Sequence, residues 1–167
     1  DDILQMDEKS THRMVKPSQG VHLVFDKKFL KGDNAIMIPS TSDGRVLFAV
    51  PWHDKVVVGT TDIVRETSEL EPIPLEEEID FILSTAGLYM VPKPEKKDIL
   101  SMFAGQRPLA APKKEGKSTK EISRSHKIFV SDNNLITITG GKWTTYRRMS
   151  EDTVDKAISL NLLELRK

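Results

Sequence analysis

The sequence predicts an α+β fold built on a mostly antiparallel sheet. Three observations predict it. Several runs alternate apolar and polar residues with the period of two that a half-buried strand requires, and they follow one another at hairpin distance. Helical spacing appears only twice, once between strands and once at the end of the chain. Strands interrupted by one helix and closed by another fit helices laid on an antiparallel sheet better than alternating βαβ units. We detect no internal repeat.

The elements follow in order. Residues 1–16 are polar and weakly patterned and read as a connecting arm. Pro17-Ser-Gln-Gly20 is a turn-like cluster leading into Val21-His-Leu-Val-Phe25, an alternating, β-branched run that reads as a strand. Ala35-Ile-Met-Ile-Pro39 is a second, short strand. The clearest hairpin comes next, with Arg45–Trp52 and Lys55–Gly59 joined by His53-Asp54. Val46, Phe48 and Val50 share one face and Leu47 and Ala49 the other, so this ribbon is expected to be covered on both sides and central in the sheet.

After Pro72-Ile-Pro74 the period changes. Glu76, Glu77 and Glu78 sit where a helix N-terminus favours negative charge, and Ile79, Ile82, Leu83, Ala86 and Met90 follow at helical spacing to a stop near Val91-Pro92. Asp98–Phe103 returns to strand and leads into Ala104-Gly-Gln-Arg-Pro-Leu109, while residues 112–121 form a charged loop with nothing to bury. Strands around His126–Ser131 and Leu135–Thr139 flank Asp132-Asn-Asn134. A terminal helix carries Met149, Thr153, Ala157 and Leu160 on one stripe, with Val154, Ile158 and Leu162 alongside.

Composition narrows the function classes. The 167 residues are enough for one proper core, or one and a satellite. Lys plus Arg and Asp plus Glu both number 25, so no global field draws the chain to nucleic acid, and any anion site must be local. There is no cysteine, which fits a reducing, cytoplasmic setting; no apolar run approaches the roughly 20 residues needed to span a bilayer. The four histidines have no metal-ligand spacing, and no nucleophile-elbow motif announces a hydrolytic triad. A chain that opens on Asp-Asp and closes within a helical run reads as part of something larger.

Several polar residues stand where a plain core would not want them. His22 lies inside an apolar strand, where it is either a satisfied half-buried imidazole or a site residue. Arg107, between Gly105 and Pro108, is either a loop arginine or an aimed guanidinium. Arg124 decorates a strand entrance. Gly59-Thr-Thr-Asp62 is a tight strand exit. Thr137-Ile-Thr-Gly-Gly-Lys-Trp-Thr-Thr-Tyr-Arg-Arg-Met149 runs from strand through Gly140-Gly141 to Lys142 and a helix start, where Thr144 or Thr145 would serve as N-cap. Glycines and free helix N–H groups suit an anion, yet neither the P-loop nor the dinucleotide fingerprint is present.

Five stretches take the reading further: Gly20-Val-His-Leu-Val24, Val50-Pro-Trp52 with Val58-Gly-Thr-Thr-Asp62, Gly105-Gln-Arg-Pro-Leu109, Ser123-Arg-Ser-His126, and Gly140-Gly-Lys-Trp-Thr-Thr-Tyr-Arg147. In this order, over residues 17–151, the chain closely resembles the FAD-dependent glycerol-3-phosphate dehydrogenases. The resemblance implies oxidation of glycerol 3-phosphate to dihydroxyacetone phosphate, with the C2 hydride passing to FAD and electrons to quinone. It implies a substrate or cap domain over residues 17–134 and a strand and helix over 135–167 that re-enter the flavin domain. It also implies a substrate pocket lined by His22, Arg107 and Lys142, with Arg107, Arg124 and Lys142 as phosphate donors. Gly140, Gly141, Lys142, Thr144 and Thr145 would approach the flavin. A homodimer and peripheral membrane contact are compatible with it. The chain lacks the family's Gly-x-Gly-x-x-Gly, so by itself it is expected to be inactive and to hold FAD weakly. Two other readings remain at this point: the cap of an amine or amino-acid oxidase, and a non-enzymatic module that binds a small anion.

Overall fold

The computed structural model describes residues 1–8, 13–42, 44–111 and 125–164. It has the expected class, α+β with a mostly antiparallel sheet, and divides into two compact units: Ser18–Arg107, and Asp1–Pro17 with Pro108–Lys167.

The first unit is a sheet with a helix on one face. β1 (Val15–Asp26) pairs antiparallel with β4 (Lys55–Gly59) through His22 opposite Gly59 to Asp26 opposite Lys55, and with β5 (Ile63–Val64) through Ser18 and Gln19. β3 (Leu47–Trp52) continues the sheet beside β4, and β2 (Ile36–Ile38) lies beyond it. β6 (Ser101–Ala110) also pairs with β1. The β3–β4 hairpin closes on two residues, and both have positive φ, 44° at His53 and 57° at Asp54. That backbone hand matches the twist of the strands it joins.

α2 (Glu76–Ala86) packs on one face of this sheet. Val21, Leu23 and Phe25 of β1, Leu47 and Ala49 of β3, and Val56 and Val58 of β4 point toward it and are buried, with Ile79, Ile82 and Ala86 supplied by the helix. The alternate residues of the same strands, Phe48 at 43% exposure and Val50 at 37%, stay open. The hairpin is therefore covered on one face only, contrary to the two-sided burial expected of it. Both faces carry apolar residues, and composition cannot say which one the helix takes.

Two boundaries also differ from expectation. Pro17-Ser-Gln-Gly20 is not a turn but the buried first half of β1. Its polar side chains resemble turn residues because their partners lie far along the chain: Ser18 donates to Asp62, and Gln19 Nε2 donates to Glu78 Oε2 at 2.7 Å and to the Ile73 carbonyl at 2.9 Å. Likewise, Gly105-Gln-Arg-Pro-Leu109 is the body of β6 rather than the loop after it.

The second unit contains α1 (Asp2–Asp7), the hairpin of β7 (Lys127–Val130) and β8 (Ile136–Thr139), and α3 (Tyr146–Ser159). The arm expected over residues 1–16 thus includes a helical turn and the start of β1, and Asp1 Oδ1 accepts from Met14 N at 2.8 Å. The β7–β8 turn follows the expected Asp132-Asn-Asn134, with Asn134 at φ 68°. Ala157 is the buried residue of α3; Val154 and Leu162 remain exposed. His126 Nε2 and Asp152 Oδ2 lie 2.9 Å apart and tie β7's entry to this helix, while Arg148 reaches the same carboxylate at 2.9 Å.

Candidate functional site

In the first unit, His22 and Arg107 come together on strands made to receive them. His22 is on the open face of β1, opposite Gly59 of β4. A Cβ at Gly59 would overlap the imidazole, so the absence of a side chain there gives the ring its place. Phe103 of β6 stacks on the imidazole with ring centroids 5.0 Å apart and planes 12° apart. Burial depresses the pKa of His22, and the positive charge of Arg107 lowers it further. His22 is thus neutral at pH 7, with a lone pair available to take a proton.

Arg107 is held in the same fashion. Its guanidinium lies over the backbone at Gly20, where any side chain would collide with both terminal nitrogens and with the Thr60 hydroxyl. Nη2 donates to Thr60 Oγ1 at 3.1 Å and Nη1 to the Thr61 carbonyl at 3.4 Å, with Asp62 Oδ1 3.8 Å from Nη1. The Gly59-Thr-Thr-Asp62 stretch is therefore more than strand-exit chemistry: it is the seat of an arginine. Sequence reasoning noted the motif without connecting it to Arg107. The two are 46 residues apart, and only the β1–β4 and β1–β6 pairings bring them together.

His22 and Thr60 line one end of a groove of about 680 Å³ on the open sheet face, His53 and Lys55 line it at the hairpin tip, and its remaining walls include Val24, Phe48, Val50, Trp52 and Phe103. A groove that is mainly apolar, with a few polar groups in its walls, is the usual form of a small-molecule site.

The other predicted residues belong to the second unit. Gly140 and Gly141 have φ of 75° and 81°, and Gly141 lets the turn press against Met149 of α3. Lys142 follows at the exposed start of a 3₁₀ turn, Trp143–Thr145, that leads into α3. The Thr145 hydroxyl accepts from Lys142 N at 3.2 Å and donates to the Lys142 carbonyl at 2.9 Å, so Thr145 rather than Thr144 closes this turn. Lys142, Trp143, Thr144 and Tyr146 are all exposed. Exposed donors at a helix start fit an anionic or electron-rich ring system such as a flavin. Arg124 and the 112–121 loop lie outside the described residues. Among those described, no group of three or more acidic or histidine side chains could hold a metal, and no helix is long and apolar enough to cross a membrane.

Residues 1–147 match the FAD dependent oxidoreductase family model, and the chain belongs to that family. It is 44% identical over 164 residues to the mitochondrial glycerol-3-phosphate dehydrogenase SDP6 of Arabidopsis thaliana, covering 98% of this chain and 26% of that protein. With the mitochondrial glycerol-3-phosphate dehydrogenase of Mus musculus it shares 42% identity over 165 residues, covering 98% of this chain and 22% of that one. The crystal structure of the Bacillus halodurans glycerol-3-phosphate dehydrogenase complexed with FAD superimposes with a TM-score of 0.75 at 38% identity, over 96% of this chain and 30% of that one. The chain therefore spans about a quarter of the length of the curated relatives it matches.

Proposed function

We propose that this chain supplies the substrate-facing part of an FAD-dependent enzyme that oxidises glycerol 3-phosphate to dihydroxyacetone phosphate. The observation that carries the reading is a neutral His22 in the wall of the groove, electrostatically coupled to an Arg107 that is seated on Thr60 of the same wall. A secondary alcohol loses a hydride from carbon and a proton from oxygen. When bound, FAD supplies the acceptor for the hydride. His22 takes the C2 hydroxyl proton, for which an imidazole kept neutral by burial and by a neighbouring cation is suited. Arg107 stabilises the alkoxide character that develops on that oxygen, or holds the phosphate through its fork of donors. Lys142 adds a mobile cation for the phosphate, and Arg124 is a further candidate donor. Gly140, Gly141, Thr144 and Thr145 shape the helix start that faces the flavin.

Residues 17–134 serve in this reading as substrate or cap domain, and residues 135–167 return to the flavin domain. Transfer of electrons to quinone, a homodimer, a cytoplasmic location and peripheral membrane contact complete the proposal. The two curated relatives named above are mitochondrial proteins. An amine or amino-acid oxidase would have less use for several cations around one substrate, and nothing in the site favours it.

The test is made in the full-length enzyme that carries this chain. Arg107→Ala and Lys142→Ala should each lower kcat/KM for glycerol 3-phosphate by about 10²-fold, the scale of a lost charge-stabilising donor, with the melting temperature nearly unchanged. Near-normal turnover and affinity in both variants would overturn the assignment.

A further inference from the structure

Glu78 is the one carboxylic side chain among the described residues that the fold buries almost completely, at 1% exposure. Its neighbours Glu76 and Glu77 are solvent-exposed at the same helix N-terminus and already satisfy the positive end of α2. Glu78 Oε2 accepts from Leu75 N at 3.0 Å, a local cap, but a cap on its own does not require burial beneath a sheet. Burying a carboxyl group is costly and must be offset by specific bonds. Those bonds lead to the arginine's seat.

Glu78 Oε1 accepts the Thr61 hydroxyl proton at 2.5 Å, and Oε2 accepts from Gln19 Nε2 at 2.7 Å. Thr61 Oγ1 also accepts from Val21 N at 2.9 Å, so its hydroxyl is fixed from both sides. The carbonyl of that threonine accepts from Arg107, and so does the hydroxyl of the preceding Thr60. Gln19, for its part, immediately precedes Gly20, the residue beneath the guanidinium. One buried carboxyl group thus pins both pieces of backbone on which Arg107 rests.

We propose that Glu78 is a positioning residue for Arg107, setting the direction of the guanidinium through Thr61 and Gln19 without touching substrate. This rests on the reading of Arg107 as a substrate-site residue. Replacing Glu78 with glutamine keeps the shape but puts an amide donor against either the Thr61 hydroxyl, which must then turn, or the two N–H groups at Oε2.

The test is a double-mutant cycle in the full-length flavoenzyme with glycerol 3-phosphate as substrate. Glu78→Gln should lower kcat/KM about tenfold, divided between kcat and KM as in Arg107→Ala, and should add less than about twofold in an Arg107→Ala background. Independent, multiplying losses would overturn the proposal, because a merely structural role has no reason to vanish with Arg107. If Glu78→Gln does not fold, Thr61→Val takes its place in the cycle, with Thr61→Ser, which keeps the hydroxyl, expected to restore activity. The second measurement needs no substrate. In the same protein, Glu78→Gln should shift the His22 titration followed by NMR in the direction that Arg107→Ala shifts it; an unshifted titration would also overturn the proposal. A wild-type enzyme that does not oxidise glycerol 3-phosphate would reject the proposed function, while the His22 titration still decides the role of Glu78.

Discussion

Two glycines decide where the histidine and the arginine of the candidate site go. Gly20 and Gly59 are strand residues with no positive φ to require glycine, yet a Cβ at either would occupy the space of Arg107 or His22. Gly20→Ala should therefore expel the guanidinium, and Gly59→Ala should tilt the imidazole. Each is expected to cost about 1–3 kcal/mol of stability from overpacking, measurable by chemical denaturation, and to reduce kcat/KM by more than tenfold in the full-length enzyme. The pH dependence belongs to this scale as well. His22 has a folded pKa below its ordinary 6.5, first through burial and then through Arg107. Its neutral burial therefore contributes stability that is fully present above about pH 6.5 and is lost as pH falls through the lowered value. The acid limb of kcat/KM should accordingly lie below pH 6.5. Removing the nearby positive charge makes protonation easier, so Arg107→Ala should move that limb upward; a limb that stays in place would argue against the coupling of the two groups.

At the scale of elements, the instructive feature is the one-sided hairpin. Leu47 and Ala49 are sealed beneath α2, whereas Phe48 and Val50 line the groove. Leu47→Ala is expected to cost about 2–5 kcal/mol, as for other buried leucines. Phe48→Thr should stay within about 0.5 kcal/mol because its side chain is already half in water. Equal losses at the two positions, measured by urea unfolding, would mean that both faces are packed. The hairpin itself was legible from its alternation and its two-residue connection, and so was α2 from its acidic start and the spacing of Ile79, Ile82 and Ala86. The first half of β1 was not. Pro17, Ser18, Gln19 and Gly20 have the composition of a turn, and only the distant Asp62 and Glu78 make a buried strand of them. Arg107 was expected just past a strand rather than within one for a related reason. Gly105 and Pro108 are local turn signals, and pairing with β1 overrides them.

For the whole molecule, the issue is how much of a flavin site these residues make. The chain has the helix start at Lys142–Thr145 but no Gly-x-Gly-x-x-Gly turn, and it covers 22–26% of the two curated relatives named above. Titrating the 167-residue chain with FAD should therefore give no stoichiometric, sub-micromolar quenching of flavin fluorescence. Tight quenching would show that the dinucleotide can be held without that turn.

The sequence by itself determined the α+β class, the positions of the main hairpin and both principal helices, the family, and the identity of His22, Arg107 and Lys142 as site candidates. These rest on local periodicity and on short motifs in a fixed order, which are written along the chain. Tertiary structure alone decided which face of the sheet is closed, that Gly59-Thr-Thr-Asp62 seats Arg107, that Gly20 and Gly59 make room for the two site side chains, and that Glu78 stands behind the arginine. Each of these depends on which strands lie side by side. A one-residue change of register would turn every side chain to the opposite face, and no local pattern in a strand that is apolar on both faces specifies that choice.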